Sequence, residues 1–536
     1  MKHRIKIIGT LFFNLLFGVW VSAQSQHEFY VENFGAKADG VTLNTKAIQS
    51  AIDKCSESGG MIFFTAGKYL TGSLELKSNV EIYLQNGATI LGSTKLEDYT
   101  SNTPSLKSYN DLFLRYSLFY AEKADNISIQ GEGTVDGQGS LFKVKTKAKP
   151  DRYMNRPFVI RFVECKNVKI ENVTLQNSAM WMQQYLVCEG LIINGIKVFN
   201  HANQNNDMMD IDGCKNVIIT NCSGDTDDDG ITLKSTSLSI TENVTITNCV
   251  ISSHCNAIKL GTESIGGFKN ISISNIVVKP SQVEKIIFGS PGGTSGITLT
   301  TVDGGILDGV TISNIKIDGP DVPICFRLGN RARKYSDDAP IPAVGIFKNV
   351  IITNVVAENV KSIGCSITGI PNHYIEKIFL NNIKISFAGG VKKGDFKNNV
   401  PELEDNYPEG TMWGNLPAYG FYIRHVKEMI LDNVKLSFAL DDQRSAIILD
   451  DVNDSKIYNL NASVSEAASN LIGITNSHSV YFINSSAIGK TKTFLSISDV
   501  NSNNIFLMDC DLKNFINPVS EKVMGQVRSI FDKHSH

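Results

Sequence analysis

The sequence predicts an all-β chain wound as a right-handed parallel β-helix, a single-domain solenoid with a helical cap at its N-terminal end and a short helix closing the other. Three observations carry that expectation. A phrase of the form Asn-Val-x-Ile-x-Asn-apolar-x-apolar recurs as NVKIENVTL at 167, NVIITNCS at 216, NVTITNCV at 243, NISISNIVV at 270, GVTISNIKI at 309 and NVIITNVVA at 349. Its apolar residues alternate with period two, a strand pattern, and Asn or Gly at the breaks marks turns. The copies recur about every 23 to 27 residues, more where loops intrude, and such a period is the mark of stacked coils.

The elements follow in chain order. Lys2, Arg4 and Lys6 precede the apolar run IIGTLFFNLLFGVWV, and Val21-Ser22-Ala23 supplies the small residues of a cleavage site. Residues 1–23 therefore read as an export signal, with a mature start near Gln24 and a secreted or periplasmic location. No later stretch approaches the roughly 18 uninterrupted apolar residues of a membrane span. In TKAIQSAIDKCSES, residues 45–58, Ala47, Ile48, Ala51, Ile52 and Cys55 fall at helical spacing, a helix suited to cover an open coil end. After the six close copies come looser ones, KIFLNNIKI at 377, MILDNVKL at 429, KIYNLNAS at 456 and IFLMDCDL at 505. Val, Ile and Thr dominate and no helical half-repeat is visible, so leucine-rich repeats fit poorly. A chain of 536 residues would by length alone be two or three domains, but one solenoid over 24–516 accounts for it, leaving 517–536 (NPVSEKVMGQVRSIFDKHSH) as a closing helix.

Composition narrows the partners. Lys plus Arg number 51 against 54 for Asp plus Glu, which gives no reason to expect nucleic acid or an anionic membrane. Export would make the ten cysteines disulfide material. Yet Cys165, Cys188 and Cys214 each stand three residues before an apolar strand residue, and Cys222 and Cys249 each follow Asn in ITNC. Cysteines recurring in register read more simply as small apolar fillers stacked in the core.

Stacking the coils on their apolar-x-apolar pairs brings Met209-Asp210-Ile211 beside Ile231-Thr232-Leu233, Ile258-Lys259-Leu260, Ile297-Thr298-Leu299 and Phe326-Arg327-Leu328. The apolar residues point inward. Asp210, Thr232, Lys259, Thr298 and Arg327 then form an outward column, and Asp212, Lys234, Gly261, Thr300 and Gly329 a second. In the same register Asp207 falls beside Asp229, with Asp228 next to both. Crowded carboxyls have a specific use in cleaving a glycosidic bond: one stays protonated to serve the leaving oxygen, and another activates water. The stretch DTDDDG, Asp225 to Gly230, also imitates the opening of a calcium loop. Its twelfth position is Thr236 where a bidentate Glu belongs, and it runs into a strand instead of a helix.

Several stretches together carry a family resemblance: VENFGAKADGVTLNTKAIQSAIDKCSESGG, GKYLTGSLELKSNVEIYL, ISIQGEGTVDGQG, NNDMMDIDGCKNVIITNC and DDDGITLKS. From about residue 30 to beyond 430 the chain resembles glycoside hydrolase family 28, the polygalacturonase family of pectin-degrading enzymes. The resemblance implies a right-handed parallel β-helix and hydrolysis with inversion, without a metal or other cofactor. Asp207 matches the Asp of the family's N-T-D motif, and Asp228 and Asp229 match its D-D pair. That would make Asp228 the general acid, with Asp207 and Asp229 holding and activating the water.

Two departures bear on substrate. The family's G-H-G reads Cys255-Asn256-Ala257, which puts Asn256 in the histidine's place and His254 two residues earlier. An Asn can orient a sugar hydroxyl but cannot shuttle a proton near neutral pH; His254 either compensates or is a structural turn residue. The family's R-I-K, which grips the galacturonate carboxylate, reads Thr298-Leu299-Thr300, arguing for a neutral sugar. Against that, Lys259, Arg327 and Lys234 bracket the acids on the outward columns, as either an anion-binding cleft or ordinary solubilising charge. Residues 401–425 interrupt the repeat with Tyr407, Trp413, Tyr419 and His425, whose rings suit either a sugar platform or an anchor for the loop. A loop closing one end of the cleft would favour cleavage from chain ends.

The expected function is an exported, monomeric, inverting glycosidase whose partner is a polysaccharide or oligosaccharide, foremost a pectic one containing galacturonate. A neutral linkage of the α-rhamnoside or α-galactoside type is the alternative. Outside that class stand a β-helix polysaccharide lyase and a non-catalytic glycan-binding solenoid.

Overall fold

The computed structural model describes residues 27–110, 114–144 and 153–520, and the backbone of a last strand, Val527–Ile530. The export signal read at 1–23 lies outside the described residues. The rest is a parallel β-helix. In the middle of the chain, Met209–Asp212, Lys215–Thr220 and Ser223–Thr226 are the three strands of one coil. The next coil lies over it in parallel register, Met209 on Ile231 and Val217 on Val244, and the coil after that puts Ile258 on Ile231 and Ile271 on Val244.

Period-two alternation decides what each strand buries. Val217, Val244, Ile271, Val310 and Val350 stack as an inner column, each at most 2% exposed. Burial of such a side chain contributes about 1.5–3 kcal/mol. The repeated Asn residues hold the corners. Asn216, Asn243, Asn270 and Asn349 have φ between 54° and 57°, the left-handed region that Asn tolerates better than other residues with a Cβ. Their amides bond from coil to coil, Asn243 Nδ2 donating to Asn216 Oδ1 and Asn270 Nδ2 to Asn243 Oδ1, both at 3.1 Å. Where the repeat reads Gly309 for Asn, φ is 78°, so the corner keeps its conformation and loses one amide rung.

The ten cysteines are free thiols, nine of them buried. The helix read near the N-terminus is Thr45–Ser56, which buries Ile48, Ala51, Ile52 and Cys55. The closing helix expected at 517–536 is not what the described residues form. Phe515–Val519 and Val527–Ile530 are strands that continue the ladder, Leu495 pairing with Val519 and Ile505 with Val527. Phe515 and Val519 turn inward while Ile516 is 80% exposed. Alternation of period two had been hidden there by Pro518, and the open edge of the preceding coil supplies backbone partners that an isolated helix would forgo.

Candidate active site

Three consecutive turns build the acidic rung. Met209, Ile231 and Ile258 are in register, so the residues two positions earlier, Asp207, Asp229 and Asn256, stand in one column at the mouths of their strands. Backbone bonds tie these turns together: Met208 N–H donates to Asp229 O at 2.9 Å and Gly230 N–H to Asn256 O at 2.8 Å. Asp228 bulges from the column with its carbonyl accepting from Ser253 Oγ at 2.7 Å and from Thr226 Oγ1 at 2.9 Å. One carboxylate oxygen from each of Asp207, Asp228 and Asp229 lies within 4.8 Å of the others.

Surroundings split these three acids by protonation. Burial, then the Asp229 charge, pushes Asp228 up to about 7. Burial, reinforced by Asp210 and Asp228, drives Asp207 well above the usual carboxylate range, and its Oδ1 is buried with no protein partner. For Asp229 burial also works upward, but Lys259 and Lys234 outweigh it and hold the group below its ordinary value. Its partners are Lys259 Nζ at 2.7 Å, Asn256 Nδ2 at 2.7 Å and Asn256 N–H at 3.2 Å. The rung thus offers a carboxylic acid and a carboxylate side by side, which is the pairing that acid–base cleavage of an acetal needs. The triad's spacing is also that of a cation site, but the ammonium of Lys259 already supplies positive charge at Asp229.

The rung opens on a cleft of about 620 Å³ lined by Asp207, Asp228, Asp229, Lys234, Asn256, Lys259 and Tyr407, among others. Asn256 is held on both sides: besides its amide serving Asp229, its Oδ1 accepts from Ser295 Oγ at 2.6 Å and Thr298 Oγ1 at 3.1 Å. Tyr407 comes from the long insertion, and its OH accepts from Lys259 at 3.3 Å.

Four residues read as substrate contacts lie elsewhere. His254 is fully buried behind the rung, Nδ1 3.0 Å from Asp227 and Nε2 3.0 Å from the Val283 carbonyl. Asp210 is fully buried beneath Lys234, 3.4 Å from Nζ, and does not reach the cleft. Arg327 pairs with Thr300 and Cys325 with Thr298, so the strand sits two residues from the register expected, and Gly329 leaves the second column as well. Such a slip preserves the in–out alternation and is invisible in the apolar pattern. Arg327 instead donates to the carbonyls of Glu402 at 2.7 Å and Leu403 at 3.1 Å, with its guanidinium 5.5 Å over the Trp413 ring. Trp413 donates Nε1–H to Pro401 O at 3.0 Å. Both therefore fasten the insertion to the coils. Tyr419 is likewise buried, and His425 bonds Asp451 at 2.7 Å and Glu402 at 3.3 Å.

The calcium imitation also resolves. Asp225 goes to His201, Asp227 to His254, and Asp229 to Lys259, so the three acids diverge.

The cleft holds further residues that the repeat pattern did not mark. Trp181 lies under Lys234, ring centre 4.7 Å from Nζ, and Arg333 lies 4.7 Å over Tyr109 while pairing with Glu263 at 2.8 Å. Glu263 also meets Lys234 at 3.4 Å, and Glu409 from the insertion joins the wall. These residues sit outside the apolar phrase; the basic run Arg331 to Lys334, directly after a strand, was the one signal available for Arg333.

The model of the family described as glycosyl hydrolases family 28 matches residues 62–404. A probable polygalacturonase of Vitis vinifera is 28% identical over 425 residues, 73% of this chain and 84% of that protein. An exo-poly-alpha-D-galacturonosidase of Dickeya chrysanthemi is 30% identical over 251 residues, 38% of this chain and 41% of its own. Among solved structures, the family 28 exopolygalacturonase of Yersinia enterocolitica superposes with TM-score 0.59 at 18% identity, over 80% of this chain and 78% of that one. The hyperthermoactive exopolygalacturonase of Thermotoga maritima does so with TM-score 0.56 at 22% identity, over 67% and 87%.

Proposed function

Because the chain belongs to glycosyl hydrolases family 28 and is a glycoside hydrolase, we propose that it cleaves glycosidic bonds in a pectic, galacturonate-containing polysaccharide, polygalacturonase-like and acting from chain ends. One observation carries the chemistry: Asp228 is raised to about 7 while the adjacent Asp229 is held low. Asp228 gives its proton to the departing glycosidic oxygen. Asp229 takes a proton from the attacking water, which it holds together with the otherwise unpartnered Asp207 Oδ1. Two oxygens within 4.8 Å can share one water at ordinary hydrogen-bond lengths.

That spacing also defines the stereochemical alternative. Inverting enzymes usually hold their two carboxyls about 6.5–9.5 Å apart and retaining ones about 5–5.5 Å, so the closeness here favours, as a second reading, attack by a carboxylate and retention. Our reading is inversion through the shared water. Proton NMR of the first-formed anomer distinguishes them, and the retained anomer would replace it. Chain-end action draws support from the Tyr407–Glu409 stretch standing in the cleft wall; long intermediates early in digestion would refute it.

A second substrate reading, a neutral linkage, is favoured by a separate observation. Each lining cation already has a protein carboxylate: Lys259 has Asp229, Lys234 has Asp210 and Glu263, and Arg333 has Glu263. Purified protein assayed on galacturonate oligomers beside α-rhamnosides and α-galactosides decides between them. Asp228→Asn is the control, and it should lower kcat by about 10²–10⁴; undiminished hydrolysis would overturn the assignment.

We take the coils to be one right-handed, monomeric catalytic domain capped by Thr45–Ser56, supported by the general handedness of parallel crossovers and by the apolar face that helix buries. Export rests on the Lys-rich start, apolar run and Val21-Ser22-Ala23; N-terminal sequencing of the mature protein should begin near Gln24.

A further inference from the structure

Asp225 and Asp227 belong to the same stretch as Asp228 and Asp229 but take no part in the cleft. They turn toward the segment between the strands ending at Val278 and starting at Ser295. Asp227 is fully buried. Its Oδ1 accepts the Ile287 N–H at 2.8 Å and lies 3.0 Å from His254 Nδ1, and its Oδ2 accepts the Phe288 N–H at 3.0 Å. His254 reaches onward to Val283 O through Nε2 at 3.0 Å, and its own carbonyl accepts from Ser290 N–H at 2.8 Å and Thr294 N–H at 3.2 Å. Asp225 takes the Gln282 N–H at 3.3 Å and His201 Nε2 at 2.9 Å. Gly289, at φ 76°, passes so close that a Cβ there would sit 1.8 Å from His254 O. The segment so fastened presents Phe288 and Gly289 to the cleft.

We infer that Asp227, backed by His254, is a positioning residue for the hydrolytic site: it locks the Ser281–Ser290 segment onto the rung, so that Asp228 and the Phe288–Gly289 wall hold one geometry. The inference rests on Asp228 being the acid. A buried carboxylate taking two backbone N–H bonds makes the stronger, charge-assisted kind. Removing it orphans buried donors, which costs their full desolvation. Asp227 and Asp228 share a peptide unit, so their Cα atoms are only about 3.8 Å apart and movement of one is felt by the other. A misplacement near 1 Å can cost about a hundredfold in rate.

The test compares Asp227→Asn with wild type in three measurements on the whole protein. Hydrogen exchange at the Ile287 and Phe288 amides should quicken at least about tenfold, because an amide side chain turns a donor toward one of them. On galacturonate oligomers kcat should fall about 10–100-fold with KM changed less than about threefold. The titration of Asp228, followed by carbon-13 NMR, should move. His254→Gln, which keeps a side-chain donor, should retain more kcat than His254→Ala. Unchanged exchange would overturn the inference. So would a lowered Tm with kcat per folded molecule and the Asp228 titration both unaltered, since that is a structural role alone. If wild type does not act on these oligomers, the substrate reading fails while exchange and titration still decide this one. Should Asp227→Asn not fold, Asp225→Asn, which loosens the Ser281, Gln282 and His201 contacts, must show the same changes at a few-fold size.

Discussion

Asp228 and Asp229 are neighbours in the chain with opposite protonation tendencies, and the difference lies in what each one touches. Asp229 has the Lys259 ammonium and the Asn256 amide on it; Asp228 has burial and a negative neighbour. On the proposed mechanism the active form needs Asp228 protonated and Asp229 ionised, so kcat should fall as pH rises through about 7 and hold a plateau on the acid side. Lys259→Met removes the charge that keeps Asp229 low, so its pKa should rise. In a pH–rate profile the acid limb would move up and the plateau narrow; an unmoved limb would mean that another group sets it. The same raised carboxyl carries a stability consequence. Between the unfolded value of 3.8 and the folded value of about 7 the native protein binds the extra proton, so this group's contribution falls as pH rises across that window. Asp228→Asn, uncharged throughout, should raise Tm by about 4 °C at pH 8 and leave it nearly unchanged near pH 3, below both values, where Asp228 is protonated folded and unfolded alike. Thermal denaturation at the two pH values measures it. Asp207, Asp229 and Asn256 were legible in the sequence because each stands two residues before an apolar strand pair. Arg327 was not, because a two-residue slip leaves the apolar pattern intact, and Trp181 and Arg333 were not, because they fall outside that pattern.

The corner Asn ladder and the 401–425 insertion, whose end with Tyr419 and His425 is in fact the strand Ala418–Lys427, show how far single elements could be read. The ladder was plain from recurrence, and its physical basis is testable at Asn270, which combines a φ of 54° with an amide bond to Asn243. Asn270→Gly forfeits only the bond, about 0.5–1.5 kcal/mol. Asn270→Ala adds the left-handed penalty of about 1–2 kcal/mol. Urea unfolding should therefore rank wild type, then Gly, then Ala; Ala equal to Gly would remove backbone conformation as the reason for Asn. The insertion was recognised as a loop with work to do, but which aromatic faces the sugar could not be read. Tyr407 reaches the cleft while Trp413 is held by the Arg327 guanidinium and Pro401, and that choice is made by contacts between coils far apart in sequence.

Over the molecule as a whole, stability comes from stacking. Apolar columns run from coil to coil; eight of the ten cysteines sit within or against them, Cys255 lines the cleft and Cys325 accepts from Ser366 Oγ, and all ten are free thiols. Reductant should therefore leave Tm and activity unchanged, as a scan with and without dithiothreitol would show; a drop of several degrees would mean that disulfides form in the mature protein. The coil architecture was legible nearly throughout, since period-two alternation with turns survives even loose copies. It failed at the C-terminal end, where Pro518 and a polar sequence hid strands that need only a neighbouring edge to form.

The displaced register at Arg327 has a consequence for how such a surface can change over time. A strand that slides by two residues returns every apolar side chain to the interior and every outward one to the exterior, so the core does not sense the move. What alters is which column a charged group occupies. Here the register sets an arginine level with Thr300, where it serves as a fastener for a loop. A solenoid of this kind therefore has a discrete means of exchanging ligand specificity for loop architecture, in which insertion or deletion of a pair of residues in a turn rewrites the binding face while the interior stays the same.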